Sequence, residues 1–85
     1  MARFEIVFRQ SVAKDTRAIP RSDLARIMAR IAALALDPRP AGCVKLSGLE
    51  YYRIRQGNYR IVYEIEDGRL IVVVIRIGHR KDVYR

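Results

Sequence analysis

Arginines gather in the segment YYRIRQGNYRI (51–61), which contains Arg53, Arg55 and Arg60. A planar guanidinium donates two parallel hydrogen bonds to a phosphate and keeps its positive charge in proteins. Like charges that face each other across neighbouring strands oppose folding. A bound anion would remove that cost, so the segment is a candidate phosphate-binding site. The alternative is that these side chains lie over apolar neighbours and reach solvent only at their tips.

A second group of polar side chains is found in GHRKDVYR (78–85), which includes His79, Arg80, Lys81 and Tyr84. His79 is the only histidine of the chain, and an imidazole titrates near neutral pH. The phenol of Tyr84 has an ordinary pKa of about 10, and arginines beside it would favour the phenolate. Tyr84 is therefore a candidate general base, or a ring that stacks on a nucleotide base. A lone histidine is more often structural than catalytic.

Three strands must position these side chains, and alternating apolar residues predict them at 51–56, 59–66 and 69–78. The last strand, which contains LIVVVI (70–75), is apolar almost throughout. A strand of that kind is buried on both faces, so we expect it inside the sheet and not at an edge. The dipeptide Asp67-Gly68 predicts a two-residue type I′ turn between the second and third of these strands.

The turn between the first two strands decides how the arginines meet. A loop at Gly57-Asn58 places Arg55 opposite Arg60, whereas a loop at Gln56-Gly57 places Arg53 opposite Arg60. Because side chains alternate between the two faces of a sheet, either loop puts all three arginines on one surface. We call the surface that carries Arg53, Arg55 and Arg60 the arginine face.

The same alternation assigns the remaining strand residues to faces. The core face is expected to hold Tyr52, Ile54, Tyr59, Ile61, Tyr63, Ile65, Leu70, Val72 and Val74. The arginine face is expected to hold Val62, Glu64, Ile71, Val73, Ile75 and Ile77 beside the arginines. If the last strand continues, His79 also points to the arginine face. Apolar neighbours lower the local dielectric, which strengthens attraction for phosphate.

The N-terminal part of the chain predicts a strand and two helices. RFEIVF (3–8) alternates in the way that is typical of a strand. QSVAKDTRAI (10–19) has apolar residues at helical spacing, with Ser11 as the expected N-cap. Pro20 suits the first turn of a second helix. The two helices are expected to form a hairpin that covers one face of the sheet.

The second helix is predicted from a continuous apolar stripe. Its members are Leu24, Ile27, Met28, Ile31, Leu34 and Ala35. Met28 is expected to fill the core. DPRPAG (37–42) ends the helix with two prolines and a glycine, and residues 43–50 form a connection. The predicted fold is α+β, in the order β-α-α-β-β-β, with a small antiparallel sheet.

Composition limits the class of protein and its partners. The chain has 85 residues, so one domain spanning residues 1–85 is expected, and its formal net charge of +8 favours polyanion partners. Of its 17 basic residues 14 are Arg, which favours phosphate. Cys43 is the only cysteine, which argues against a disulfide framework or a thiolate metal site. No metal or cofactor is expected. The longest apolar run is too short to cross a bilayer, and a cytoplasmic protein is expected.

The sequence resembles the RelE family of bacterial and archaeal toxins, within the RelE/ParE superfamily. The resemblance covers essentially the whole chain, and its most specific part is the combination of YRIR, YRIVYEI and GHRKDVYR at these spacings. It implies a small antiparallel sheet with two N-terminal helices, and a toxin that enters the ribosomal A site and cleaves mRNA. It also implies a RelB-like antitoxin that wraps and silences the toxin. The toxin alone is expected to be monomeric, and hetero-oligomeric with its antitoxin.

The resemblance implies roles for particular residues. Catalytic positions of the family match Arg53, Arg55, Arg60, Arg80 and Tyr84. Lys45 matches a basic position that contacts RNA or the ribosome, and His79 and Lys81 are further candidates for such contacts. The arginines would hold the phosphate and stabilise charge in the transition state. Arg80 would protonate or stabilise the leaving group, with His79 as its substitute.

Two other functions are compatible with the same pattern. A ParE-like poison of DNA gyrase shares the fold and needs no RNA-cutting cluster. A module that binds nucleic acid or antitoxin without catalysis would keep the basic surface alone. The full set of arginines with Tyr84 favours the ribosome-dependent endoribonuclease.

Overall fold

A computed structural model describes residues 3–46, 48 and 50–79. The elements in chain order are β1 (Glu5–Phe8), α1 (Gln10–Arg17), α2 (Arg21–Ala33), β2 (Val44–Lys45), β3 (Tyr51–Gln56), β4 (Tyr59–Glu66), a 3-10 turn (Asp67–Arg69) and β5 (Ile71–His79). Within the described residues, neither helix is both long and apolar enough to span a bilayer. The α+β class and the N-terminal pair of helices are confirmed.

The five strands form one sheet in the order β1-β5-β4-β3-β2. The last strand lies between β1 and β4, so its predicted interior position is confirmed. β1 runs parallel to β5, and the other neighbouring strands are antiparallel. The predicted all-antiparallel sheet is therefore wrong at this pair. Two helices and three strands separate β1 from β5 along the chain, which is ample length for a parallel crossover.

The core lies between the helices and one face of the sheet. Its buried members are Val12, Ile27, Ile31, Leu34, Ile54, Ile61, Tyr63, Val72, Val74 and Ile77. Every strand residue that the sequence assigned to the core face packs in or against this core except Leu70, which lies in a turn and is 39% exposed. Met28 is also 39% exposed, so its predicted role as core filler is wrong. The stripe of α2 is narrower than the sequence indicates, because only Ile27 and Ile31 are buried within the helix.

The β3–β4 hairpin has the first of the two predicted registers. Arg55 pairs with Arg60 and Gln56 with Tyr59, which leaves Gly57-Asn58 as the loop. Gly57 adopts a φ of 59°, which a glycine reaches without steric cost. The predicted separation of Tyr52 and Ile54 from the arginines is thereby confirmed.

The β4–β5 connection differs from the predicted type I′ turn. Asp67–Arg69 form a 3-10 turn and Leu70 takes a left-handed conformation (φ 54°, ψ 51°), so Glu66 pairs with Ile71. The loop therefore has four residues and not two. The face of each residue near the turn is unchanged, because the loop is longer by an even number.

A cluster at the turn joins the loop after α2 to the sheet; we call Arg39, Asp67 and Tyr52 the Arg39 clasp. The guanidinium of Arg39 donates to both carboxylate oxygens of Asp67, at 3.1 and 2.9 Å. It also lies 5.2 Å from the centre of the Tyr52 ring. The hydrogen bond from Arg39 lowers the pKa of Asp67, and the same bond raises the pKa of Arg39. Each charge of the clasp thus has a fixed opposite charge.

Tyr63 anchors the same loop from inside the core. Its hydroxyl donates to the Pro38 carbonyl oxygen at 2.7 Å and lies 3.2 Å from the Cys43 sulfur. Its ring stacks on Tyr52, with ring centres 6.0 Å apart. Burial raises the pKa of Tyr63 well above its ordinary range, so the phenol stays neutral and keeps its role as a donor.

Candidate functional site

The arginine face is built from three adjacent strands. In one cross-strand row Arg55 stands opposite Arg60, and in the next row Arg53 stands opposite Val62. The three arginines predicted to share a face do share it. Like charges in direct cross-strand positions are unfavourable for folding.

Partial burial of these arginines strengthens their attraction for an anion. Arg53 and Arg60 are half-buried and their Nε atoms are covered from solvent, whereas Arg55 is exposed. Val62, which pairs with Arg53 on this face, is only 6% exposed although the helices cover the opposite face. An apolar floor of this kind lowers the local dielectric and strengthens the attraction of guanidinium groups for an anion.

The arginine face has opposite charges at its two ends. Register places three carboxylates on it, and all lie toward the β4–β5 turn: Glu5, Glu64 and Glu66. Glu66 pairs with Arg69 there, at 3.1 Å. The arginine rows occupy the other end, near the end of β5. An incoming phosphate would therefore meet positive charge at one end of the face and be repelled at the other.

A β-bulge in β5 changes which residues reach the arginine face. Tyr63 pairs with Val74 but Val62 pairs with Arg76, so Ile75 has no partner residue on β4. One extra residue reverses the alternation for the rest of the strand. Arg76 consequently joins the arginine face, in the same row as Arg53 and Val62.

The bulge also makes two predictions wrong. Ile77 pairs with Ile61 on the core face and is 1% exposed, whereas the unbroken alternation placed it with the arginines. His79 pairs with Tyr59, on the core side of the sheet, and the two rings meet edge to face with centres 5.8 Å apart. His79 therefore does not point to the arginine face.

Arg76 is the residue that sequence reasoning missed. A signal for it was present: with Val72 and Val74 in the core, unbroken alternation would aim Arg76 into the core and Ile77 at solvent. Burying an arginine while exposing an isoleucine is unfavourable on both counts. A bulge between them resolves the conflict.

The structure places Lys45 away from the arginine face. Lys45 pairs with Tyr52 in the short edge strand β2, so it lies on the core side, and its ammonium is 3.7 Å from Glu50. Its predicted contact with RNA or ribosome stays a prediction. Three other predicted site residues lie outside the described residues: Arg80, Lys81 and Tyr84. Their roles also stay predictions.

The arrangement suits electrostatic stabilisation better than proton transfer. Four guanidinium groups, those of Arg53, Arg55, Arg60 and Arg76, share one end of one face. Guanidinium groups hold phosphate oxygens in fixed geometry but do not readily release a proton. Within the described residues, no group of three or more His, Cys, Asp or Glu side chains could hold a metal ion. This end of the face can bind a phosphodiester and stabilise the charge that develops on it.

Comparison with known proteins identifies relatives of the chain. The sequence model of the family described as "ParE toxin of type II toxin-antitoxin system, parDE" matches residues 6–84. "Toxin RelG" of Mycobacterium tuberculosis is 44% identical over 34 residues, which are 40% of this chain and 39% of that protein. "Putative toxin RelE1" of Methanocaldococcus jannaschii is 26% identical over 87 residues, which cover 98% of this chain and 97% of that protein.

The fold also matches a solved toxin structure. A chain of the RelBE2 toxin-antitoxin complex of Mycobacterium tuberculosis superposes with a TM-score of 0.81 and 25% identity. The match covers 92% of this chain and 99% of that chain. The likeness therefore extends over nearly the whole of both molecules.

Proposed function

The chain belongs to the RelE/ParE superfamily of type II toxin–antitoxin toxins, and from that premise we propose that it is an endoribonuclease that cleaves mRNA in the ribosomal A site. The observation that supports this proposal is the register that gathers Arg53, Arg55 and Arg60 on one face. A toxin that acted only through a protein surface would not need partly buried guanidinium groups over an apolar floor.

The proposed reaction uses the 2′-hydroxyl of the RNA itself. Its oxygen attacks the adjacent phosphorus, the new P–O2′ bond forms as the P–O5′ bond breaks, and the products carry a 2′,3′-cyclic phosphate and a 5′-hydroxyl. Arg53, Arg55 and Arg60 hold the phosphate and stabilise its charge in the transition state. Tyr84 removes the proton from the 2′-hydroxyl. Arg80 protonates or stabilises the departing 5′-oxygen. The guanidinium groups supply the positive charge that the reaction needs.

An antitoxin is the second proposed partner. The structural relative described above was solved as a toxin-antitoxin complex, RelBE2. We expect a RelB-like protein with acidic and apolar residues, because this chain carries a net charge of +8. The toxin alone is proposed to be a monomer that acts in the cytoplasm, where translating ribosomes are found.

The proposal is tested by sequencing mRNA 5′ ends in a translating extract. Wild-type toxin is expected to produce new ends at A-site codons only when ribosomes are present. Arg80→Ala and Tyr84→Phe should each lose most of this cleavage. The matched control is Arg69→Ala, which removes an exposed arginine in the β4–β5 turn. Equal cleavage by all four proteins would mean that the assigned residues are not the catalytic site.

A second candidate is inhibition of DNA gyrase. The matching family description names ParE, and this observation favours a ParE-like activity. A supercoiling assay with purified gyrase separates the two functions. Loss of supercoiling without new mRNA ends would support the gyrase inhibitor, and new mRNA ends with normal supercoiling would support the endoribonuclease.

A further inference from the structure

A groove runs along the edge of β5, beyond the point where β1 ends. β1 accompanies β5 only as far as the pair Phe8–Val74, and α1 covers the edge from there on. The groove between α1 and this half of β5 has a volume of about 740 Å³. Lys14 and Arg76 are the basic residues that line it, and His79 is at its far end. The arginine face therefore continues over the sheet edge into a groove that it shares with α1.

The bulge holds Arg76 in a defined position at this edge. The Ser11 hydroxyl donates to the Ile75 carbonyl oxygen at 2.9 Å, and the Ile77 backbone N–H donates to the Asp15 carboxylate at 2.9 Å. The backbone is thus anchored to α1 on both sides of Arg76. The Arg76 side chain itself is exposed. A side chain whose backbone is anchored in this way loses less entropy when it binds a ligand.

The charges around the groove favour an anion. The Asp15 carboxylate is directed at the backbone of Ile77. Among the residues that the structure describes, Arg76 and Lys14 have no carboxylate partner. Four other basic side chains do have one: Arg26, Arg39, Lys45 and Arg69. Other basic side chains in the described part of the chain also have no carboxylate partner, but Arg76 and Lys14 are the two that line the groove.

We propose that Arg76 and Lys14 form a second phosphate-binding position, for the phosphodiester next to the one held by Arg53, Arg55 and Arg60. This inference rests on the proposed function, because its ligand is single-stranded RNA. Arg76 shares a row with Arg53, two strands away, so consecutive phosphates of one RNA strand could reach both positions. An acidic segment of a protein partner is the competing ligand, and continuity with the arginine face favours RNA over it.

The test compares two lengths of RNA that cannot be cleaved. A 2′-O-methyl dinucleotide contains one phosphodiester and can fill only the first position, whereas a 2′-O-methyl tetranucleotide can fill both. Binding is measured for wild type, the double variant Arg76→Ala/Lys14→Ala and the double control Arg26→Ala/Arg69→Ala. The control removes the same charge from exposed positions elsewhere.

The double variant is expected to bind the tetranucleotide several-fold more weakly than the control does, and to bind the dinucleotide equally well. Affinity for the tetranucleotide is also measured at several salt concentrations. The slope of log affinity against log salt should be smaller in magnitude for the double variant than for the control by about 0.7, the value for one phosphate of a single strand. Arg76→Lys in place of Arg76→Ala should restore the slope. An acidic peptide is titrated in parallel. Equal binding of both RNA lengths by the variant and the control would overturn the proposal, and so would a loss of affinity confined to the acidic peptide.

A second measurement identifies the source of the phosphate. Cleavage is followed on ribosomes whose mRNA either continues beyond the A-site codon or ends at it. A defect of Arg76→Ala that disappears on the shorter mRNA supports the proposal. A defect that persists would overturn it, because the phosphate would then belong to ribosomal RNA and not to the strand that is cleaved. If wild type did not cleave mRNA at all, the proposed function would be wrong. The second phosphate position would still be tested, because binding of the uncleavable oligonucleotides does not depend on catalysis.

Discussion

Arg39 and Arg60 carry the same side chain beside different charged neighbours. Arg39 donates two hydrogen bonds to Asp67 and lies against the ring of Tyr52. Arg60 stands directly opposite Arg55, at the end of the sheet surface where the arginines collect. The Arg39 clasp pairs each charge with its opposite, whereas the arginine face places like charges side by side.

The difference indicates which region serves the fold and which serves a ligand. The clasp ties the loop after α2 to the β4–β5 turn, so its charges stabilise a local structure. The arginine face gains nothing for folding from its cross-strand arginine pair, since like charges opposite each other are destabilising. Departures from local stability rules of this kind are concentrated at functional sites.

The largest expected effect separates the two regions by activity. Arg60→Ala should lower ribosome-dependent mRNA cleavage by about 10²–10³-fold, the usual loss when one preorganised donor to the transition state is removed. Its circular dichroism spectrum should match that of wild type, so that the loss of cleavage is not a loss of fold. Arg39→Ala is the control and should cleave as wild type does per folded molecule. A comparable loss of cleavage in both variants would remove the distinction between the regions.

The bulge provides the next largest effect. Asp15→Ala removes a charged acceptor from the Ile77 backbone N–H, which should cost about 1.5–3 kcal/mol in the free energy of unfolding. Urea denaturation measures this cost, and amide exchange at Ile77 should become faster. Asp15→Asn keeps an acceptor oxygen and should lose less. If Asp15→Ala unfolded at the same urea concentration as wild type, α1 would not be holding the bulge.

A smaller effect is expected at the buried phenol beside the clasp. Tyr63→Phe leaves the Pro38 carbonyl oxygen without its donor, which should cost about 1–2 kcal/mol of unfolding free energy. The raised pKa of Tyr63 favours the folded state below the unfolded pKa of about 10, and this contribution is lost as pH rises above it. Wild type should therefore lose stability more steeply than Tyr63→Phe in alkaline urea titrations. Parallel titration curves would contradict the assignment of a raised pKa.

The smallest effect concerns the clasp itself, whose two charged side chains are largely exposed. The pKa of Asp67 is lowered in the folded state, so its contribution is present above the unfolded pKa near 4 and is lost as pH falls through the folded pKa. Asp67→Asn should lack this acid-dependent part of the stability curve and match wild type most closely at low pH. The measurement is the thermal midpoint from pH 2 to 7. If the difference in thermal midpoint between wild type and Asp67→Asn grew toward low pH, the pKa of Asp67 would not be lowered in the folded state.

Local pattern was sufficient to predict the β3–β4 hairpin and its consequences. A glycine-containing two-residue loop between two alternating segments leaves few registers, and both of the predicted registers put the three arginines on one face. The stripe of α2 was predicted less well. Met28 has helical spacing compatible with the core, yet its side chain is 39% exposed.

The β4–β5 pair shows where local pattern fails. Asp67-Gly68 is a strong signal for a type I′ turn, yet Leu70 adopts the left-handed conformation and the loop has four residues. The two contacts from α1 that hold the bulge come from Ser11 and Asp15, more than 60 residues earlier in the chain. No local pattern contains that information. Ser11 was predicted as an N-cap, but its hydroxyl instead donates a hydrogen bond to the carbonyl oxygen of Ile75.

The amino-acid order alone decided that three guanidinium groups share a surface, because both two-residue loops that the glycine favours put all three on the same side of the two strands. Only the packed fold decided that Arg76 joins them and that His79 does not. That choice depends on a helix docking against the edge of β5 and satisfying backbone groups that have no strand neighbour beyond the end of β1. Such contacts exist only once distant parts of the chain have come together.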